Sequence, residues 1–417
     1  MSFSWWGVTM VGPGKPVRWV VAAALGLSTF PLMGTAGCDL DQDGYPASGG
    51  DCDDLDHDVY PGAPEACDLV DEDCDEEVDE SVDCSGLIAT LAGTGNASYN
   101  GDEIPAHDAW LDSPAGVTLL SSGDLLISDW YNSRVRRVDT DRIIHTFAGS
   151  DVTGDYADGV PATVAQLNGL LTTAEGVRGE VYIADTFNYS VKVVEPSGFI
   201  YHFAGGGGAT GDNVPALDAF LYLPYDVAVD SRGNVYIADL GANRVYRVDT
   251  KGYLSNFAGN GSENYSGDGG FARSAGVPQP RSLAIDVADN VYISDGSCRI
   301  RRVDTNSKIS TVAGNGICGE GVDKVLATST SLNMPYGIDT SPRGELYIAD
   351  QVNQKIRRVG LDQIIETIAG SGELGDCCEG KSAVEAELNF PQGVCVSGAG
   401  DVYIADTLNN RVRQVFP

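Results

Sequence analysis

Asp39, Asp41 and Asp43 stand at alternate positions directly before Gly44. Alternate carboxylates can converge on one hard cation, and the glycine permits the sharp turn that gathers them. This is the opening of a calcium loop. Its usual closing glutamate is missing, because Gly50 stands at loop position twelve, and Asp51 and Asp53 are placed to close the site instead. A second alternation, Asp71, Asp73 and Asp75 followed by Asp79, has Glu76 where the glycine belongs. The expected cofactor is Ca2+. Copper has little to recommend it, since His57 is the only imidazole in residues 38–85 and that segment has no methionine.

The same stretch resembles the aspartate- and cysteine-rich metal-binding motif of bacterial surface proteins, the MopE-like family. The matching residues are Asp51-Cys52-Asp53-Asp54, Tyr60-Pro61-Gly62-Ala63, Glu65, Cys67-Asp68, Asp73-Cys74-Asp75 and Val78-Asp79-Glu80. The resemblance implies calcium, with copper in some members. Leu69 and Glu76 depart from it, standing where the family often has glycine.

Residues 38–85 hold 19 of the 60 acidic side chains and no Lys or Arg. They offer almost nothing apolar to bury, so metal or disulfides must hold the segment together. Cys52, Cys67, Cys74 and Cys84 form an even set whose pairing the sequence does not give. Ahead of it, Lys15 and Arg18 precede an apolar run too short for a membrane span, which reads as an export signal over residues 1–37. Cys38 after Ala36-Gly37 resembles a bacterial lipoprotein cleavage box, which would leave it lipidated. Thr35 stands where that box carries Leu, Val or Ile, so cleavage after Ala36 is the rival reading. Either route takes the protein to the cell envelope, as an outer-membrane-anchored lipoprotein or a secreted protein, where cysteines can be oxidised. The net charge of −34 repels phosphate backbones and argues against nucleic acid.

Beyond residue 85 the chain repeats. Asp129, Asp185, Asp239, Asp295, Asp350 and Asp406 end near-identical stretches such as VYIAD, at separations of 56, 54, 56, 55 and 56 residues. Each unit carries four short β signals, as in YDVAVD, NVYIAD, RVYRVD and YLSNFAG of the third. Four antiparallel strands per unit around an axis make a β-propeller. The sixth unit lacks its fourth strand, and an unpartnered GLIATLAG sits at residues 86–93. The expected fold is therefore all-β: a six-bladed propeller over residues 86–417, closed three strands plus one, so that no blade is left with a bare edge.

These units resemble NHL repeats, most clearly at residues 267–286 and 401–415. Their D-x-x-N-x-R pattern, as in Asp129/Asn132/Arg134 and Asp406/Asn409/Arg411, reads better as blade maintenance than as a ligand site. Asp ends one strand, Asn turns the chain, and Arg starts the next within reach of the Asp. The long connectors between blades should share one face with these turns. Their Gly-Asp pairs (Asp102, Asp158, Asp212, Asp268) are expected to cap the short helical turns that follow. Cys298, Cys318, Cys377 and Cys378 fall on that face, and Cys395 reads as a buried thiol of an inner strand.

Related propellers include zinc-dependent amidating lyases and calcium-dependent lactonases, and a metal-dependent enzyme is the alternative reading. Zinc wants several histidines, and the repeats have only His107, His145 and His202, the latter two expected on opposite faces. The preferred reading is a monomeric binding module for a protein or glycan. It would use Tyr99, Trp110 and Tyr265 of the variable connectors as aromatic anchors.

Overall fold

The computed structural model describes residues 45, 52, 58–63, 65–75, 78–79 and 82–417. Six sheets surround a central channel. Blade one runs outward as Pro114–Leu119, Leu125–Asp129, Arg134–Val138 and Ile143–Gly149. Blade three repeats it with Pro224–Val229, Val235–Asp239, Arg244–Val248 and Tyr253–Ala258. The recurring octapeptide is the second strand. All five residues of Val181–Asp185 are buried, because both faces of the strand pack against neighbouring blades.

Blade six takes its outer strand from the other end of the chain. Leu87–Ala92 lies antiparallel to Arg411–Val415, with Ile88 opposite Val415 and Thr90 opposite Arg413. The three-plus-one closure read from the sequence is the observed one.

A fifth strand of two residues was not anticipated. Ile104–Pro105, Val160–Pro161, Val214–Pro215, Val325–Leu326 and Lys381–Ser382 each pair with the outer strand of a blade. A two-residue pairing is too short for a periodicity signal, and proline is tolerated there because the strand is an edge. A single 3-10 turn follows each, for example Ala162–Val164.

The inner strands bind one another around the channel. Thr118 Oγ1 donates to Thr173 O at 2.8 Å, Asp226 Oδ2 accepts Leu283 N at 2.6 Å, and Asp339 Oδ2 accepts Val396 N at 2.9 Å. At Gly116 the neighbouring strand comes so close that a Cβ would lie 2.4 Å from Leu171 O, which excludes any side chain. The acidic segment leans on this ring. Leu69 packs with Ala89 and Leu91, and Arg142 Nη1 donates to Leu69 O at 2.6 Å. Among the described residues no helix is long and apolar enough to cross a membrane.

Candidate metal centre and connector face

Asp39, Asp41, Asp43, Asp51, Asp53 and the proposed lipidation site Cys38 lie outside the described residues. The second alternation is described, and two of its members meet. Ligand oxygens of Asp71, Asp73 and buried Glu65 lie within 4.8 Å of one another, the only such group of three His, Cys, Asp or Glu among the described residues. Glu65 belongs to the MopE-like match and not to the alternation, so spacing alone did not single it out. Its Oε1 accepts Asp73 N at 3.0 Å and its Oε2 accepts Asp79 N at 2.9 Å, which aims the carboxylate.

Asp75 and Asp79 lie outside this trio. Asp79 Oδ1 accepts Asp68 N and Leu69 N, holding the turn, and Asp75 N donates to Asp71 Oδ1. Two disulfides, Cys52–Cys74 and Cys67–Cys84, frame the group. The residues fit a hard divalent cation. Asp73 Oδ1 is buried without a hydrogen-bond partner. The Asp73 carboxyl is raised above its ordinary range by burial and then by Asp75, Glu65 and Asp71, and Glu72 is pushed up to about 8, chiefly by burial. Carboxylates crowded together in this way, with Glu65 buried and Asp71 and Asp73 partly so, are what a divalent ion would relieve.

On the propeller, the second-strand aspartates are structural. Asp129, fully buried, accepts Asp112 N at 2.7 Å and Asn132 Nδ2 at 2.8 Å, which fastens connector and turn to the strand. Its cation is not the arginine that the motif suggested. Arg134 turns away to Asn132 O and Asp151. The partner is the residue two positions on. Arg136 lies 3.8 Å from Asp129, and Lys192, Arg301, Arg357 and Arg413 repeat the contact with Asp185, Asp295, Asp350 and Asp406 at 3.2–3.7 Å. All five cations are almost wholly buried.

The expected capping role of the connector aspartates is also corrected. The 3-10 turns have no side-chain caps. Asp102, Asp268 and Asp323 instead bind the second side of the buried arginines, because an enclosed guanidinium with one carboxylate would keep unsatisfied donors. Asp158 Oδ1 and Asp212 Oδ1 accept His202 N and Asn256 N of the outer strands.

Of the three candidate anchors, Trp110 is exposed. Tyr99 and Tyr265 are half-buried and each carries two guanidinium groups, Arg134 and Arg136 on one and Arg299 and Arg301 on the other, at 3.8–4.8 Å from the ring centres. Sequence reasoning missed the larger aromatic set. Tyr131, Tyr156, Phe187, Tyr189, Phe220 and Tyr222 are 46–67% exposed in the turns and connectors of blades one to three. Cys298–Cys318 and the vicinal Cys377–Cys378 are disulfides on this face, while Cys395 is a buried free thiol beside the channel. His145 faces Arg137 and bonds Asp139, whereas His202 faces Lys192, one register apart as expected.

Family models match the chain in three places: the MopE-type metal-binding motif at residues 51–80, and the NHL repeat at residues 111–138 and 388–415. Teneurin-1 of Homo sapiens is 27% identical over 289 residues, covering 61% of this chain, and Teneurin-m of Drosophila melanogaster is 26% identical over 331 residues, covering 73%. The chain spans only 10% and 12% of those two proteins. Among solved structures, an auxiliary nutrient binding protein from Bacteroides ovatus superposes with a TM-score of 0.58 at 16% identity, over 80% of this chain and 76% of that one. One of the same description from Bacteroides thetaiotaomicron gives 0.57 at 15%, over 79% and 75%. The likeness to both is one of fold. The chain is a six-bladed β-propeller that carries NHL-repeat matches at residues 111–138 and 388–415, and a MopE-like metal-binding motif at residues 51–80 precedes it.

Proposed function

We propose that this chain is an exported surface protein, lipid-anchored through Cys38, whose acidic segment binds calcium and whose propeller binds a protein or glycan partner on its connector face. The observation that carries the metal reading is the meeting of Glu65, Asp71 and Asp73 around the unpartnered Asp73 Oδ1. Calcium is favoured over copper because every candidate ligand is a hard oxygen. The four nearby sulfurs are tied up as disulfides, which removes the thiolates a soft ion would use. Glu65, Asp71 and Asp73 would hold the ion, and its role there is structural charge neutralisation.

The partner reading rests on the exposed aromatics of blades one to three, joined by Trp110. Large aromatics gathered on one face are the residue types that anchor interfaces, and the repeated polar residues are already engaged within the blades. Tyr99 and Tyr265 serve this surface by packing the arginines beneath it.

The test is capture from envelope extract by residues 38–417, compared with a Trp110→Ala/Phe187→Ala/Tyr222→Ala variant. The reading expects a retained protein or glycan that the variant loses at unchanged melting temperature. Metal-dependent turnover of a lactone or an α-hydroxyglycine substrate would overturn it in favour of the enzyme.

A further inference from the structure

Blade three departs from its siblings at the position where they agree. In the other five, a buried cation bridges the second-strand aspartate and an acid of the preceding connector, as Arg136 bridges Asp129 and Asp102. Blade three has Tyr246 there, opposite Asn256 as Arg136 is opposite Thr146. The asparagine that reaches back to the aspartate in four blades, such as Asn132 or Asn409, is replaced by Ala242. Both of the aspartate's side-chain partners are therefore missing, and a cavity of about 450 Å³ stands beside it.

The walls define what the cavity takes. Asp239 is fully buried and accepts Tyr222 N, Leu223 N and Ala242 N, but among the described residues no cation pairs with it. Asp212 borders the cavity and binds Asn256 N and, outward, Arg273. Asn256, whose Oδ1 is buried without a hydrogen-bond partner, is a further wall residue. Phe220 and Tyr222, both exposed, stand edge to face at 6.0 Å and also border it. The walls bring together two carboxylates, an asparagine side chain and aromatic rings, so the site calls for a flat donor with positive charge.

Arg244 also lines the cavity, donating to Ala242 O and Asn260 O. It is no obstacle. Arg299 makes the same pair of contacts in blade four, with Ser297 O and Asn315 O, while Arg301 occupies the inner position beside it. Two guanidinium groups therefore coexist in a sibling blade. Four of the five siblings use arginine rather than lysine, which favours the planar, several-donor cation over an ammonium.

We propose that this blade-three cavity is a binding subsite for a guanidinium group, supplied by a free small molecule or by an arginine side chain of a partner. With the partner's arginine as source, the inference deepens the partner-binding reading and rests on it. With a free ligand it stands alone.

The test is calorimetric titration of N-acetyl-arginine methylamide into residues 38–417, with the uncharged citrulline analogue as control. The arginine probe should bind saturably, and the citrulline analogue at least about tenfold more weakly, a difference of about 1.4 kcal/mol. Tyr246→Arg places the chain's own guanidinium in the cavity, and should abolish probe binding while raising the melting temperature. If that variant does not fold, Asn256→Leu removes the unpaired acceptor and should weaken the probe in the same direction. No binding to the natural chain, equal binding of the two analogues, or undiminished binding to the variant overturns the proposal. Loss of envelope-partner capture in Tyr246→Arg assigns the group to a partner's arginine. Capture retained alongside lost probe binding assigns it to a free ligand and leaves the partner reading standing.

Discussion

Removing the closing strand should cost the propeller most of its stability, whereas removing the acidic segment should cost little. The comparison is between a chain beginning at Gly86 and one beginning at Gly93. The second loses Leu87–Ala92, whose Ile88, Ala89, Leu91 and Ala92 are buried. Ile88 and Leu91 alone are worth about 1.5–3 kcal/mol each. The ladder to Arg411–Val415 adds several backbone hydrogen bonds at about 1 kcal/mol net apiece. The total, about 6–10 kcal/mol, is comparable with the 5–15 kcal/mol that holds an ordinary domain folded. The acidic segment gives the propeller mainly the Leu69 side chain and the Arg142 hydrogen bond, about 2–4 kcal/mol at most. Thermal unfolding followed by circular dichroism reads the difference. The Gly93 chain should be unfolded or aggregated at room temperature and the Gly86 chain should melt cooperatively. Equal melting temperatures would refute the closure argument.

Three further outcomes follow from the buried polar groups and the loop cysteines. Arg357→Leu leaves Asp350 buried without its cation and should cost about 3–5 kcal/mol in urea unfolding, with Arg357→Leu/Asp350→Asn recovering much of it; strict additivity of the two changes would show that they do not interact. Asp226 and Asp339 are raised by burial from 3.8 to about 6 in the folded chain, so between those values the folded state holds more protons than the unfolded one and stability falls as pH rises. Asp226→Asn/Asp339→Asn should flatten that slope of melting temperature against pH, and an unchanged slope would locate the titration elsewhere. Cys298→Ser/Cys318→Ser opens a disulfide that spans 20 residues and should lower stability by about 3 kcal/mol, read from the shift of the urea midpoint, whereas an unmoved midpoint would mean the bridge does not constrain the unfolded chain.

The period, the strand count and the ring closure were legible because each is a pattern repeated over the whole chain. The buried cations were not. In the string RVRRV, Arg134 and Arg136 lie on the same face of the strand and both cover Tyr99. Arg134 pairs with Asp129 in the ladder, yet its side chain goes to Asn132 O and Asp151, and it is Arg136, two residues further along, that reaches the Asp129 carboxylate. Tyr99 and Tyr265 look like free connector aromatics until the fold lays arginines over them. Part of the exception in blade three stands in the sequence, where Ala242 takes the place of the asparagine three residues after Asp239. That Tyr246 replaces a buried cation emerges only once the five siblings are superposed in register. Metal ligands read from alternation alone reached Asp71 and Asp73 but not Glu65, which a turn brings in from six residues earlier.

The most direct test of the central claim is calorimetric titration of oxidised residues 38–417 with calcium and with copper, beside a Glu65→Gln/Asp73→Asn variant. Saturable calcium binding with a Kd on the order of 0.1–1 mM, as for extracellular calcium modules, and lost in the variant, is the expected result. Copper bound more tightly than calcium, or calcium bound equally by the variant, would contradict it.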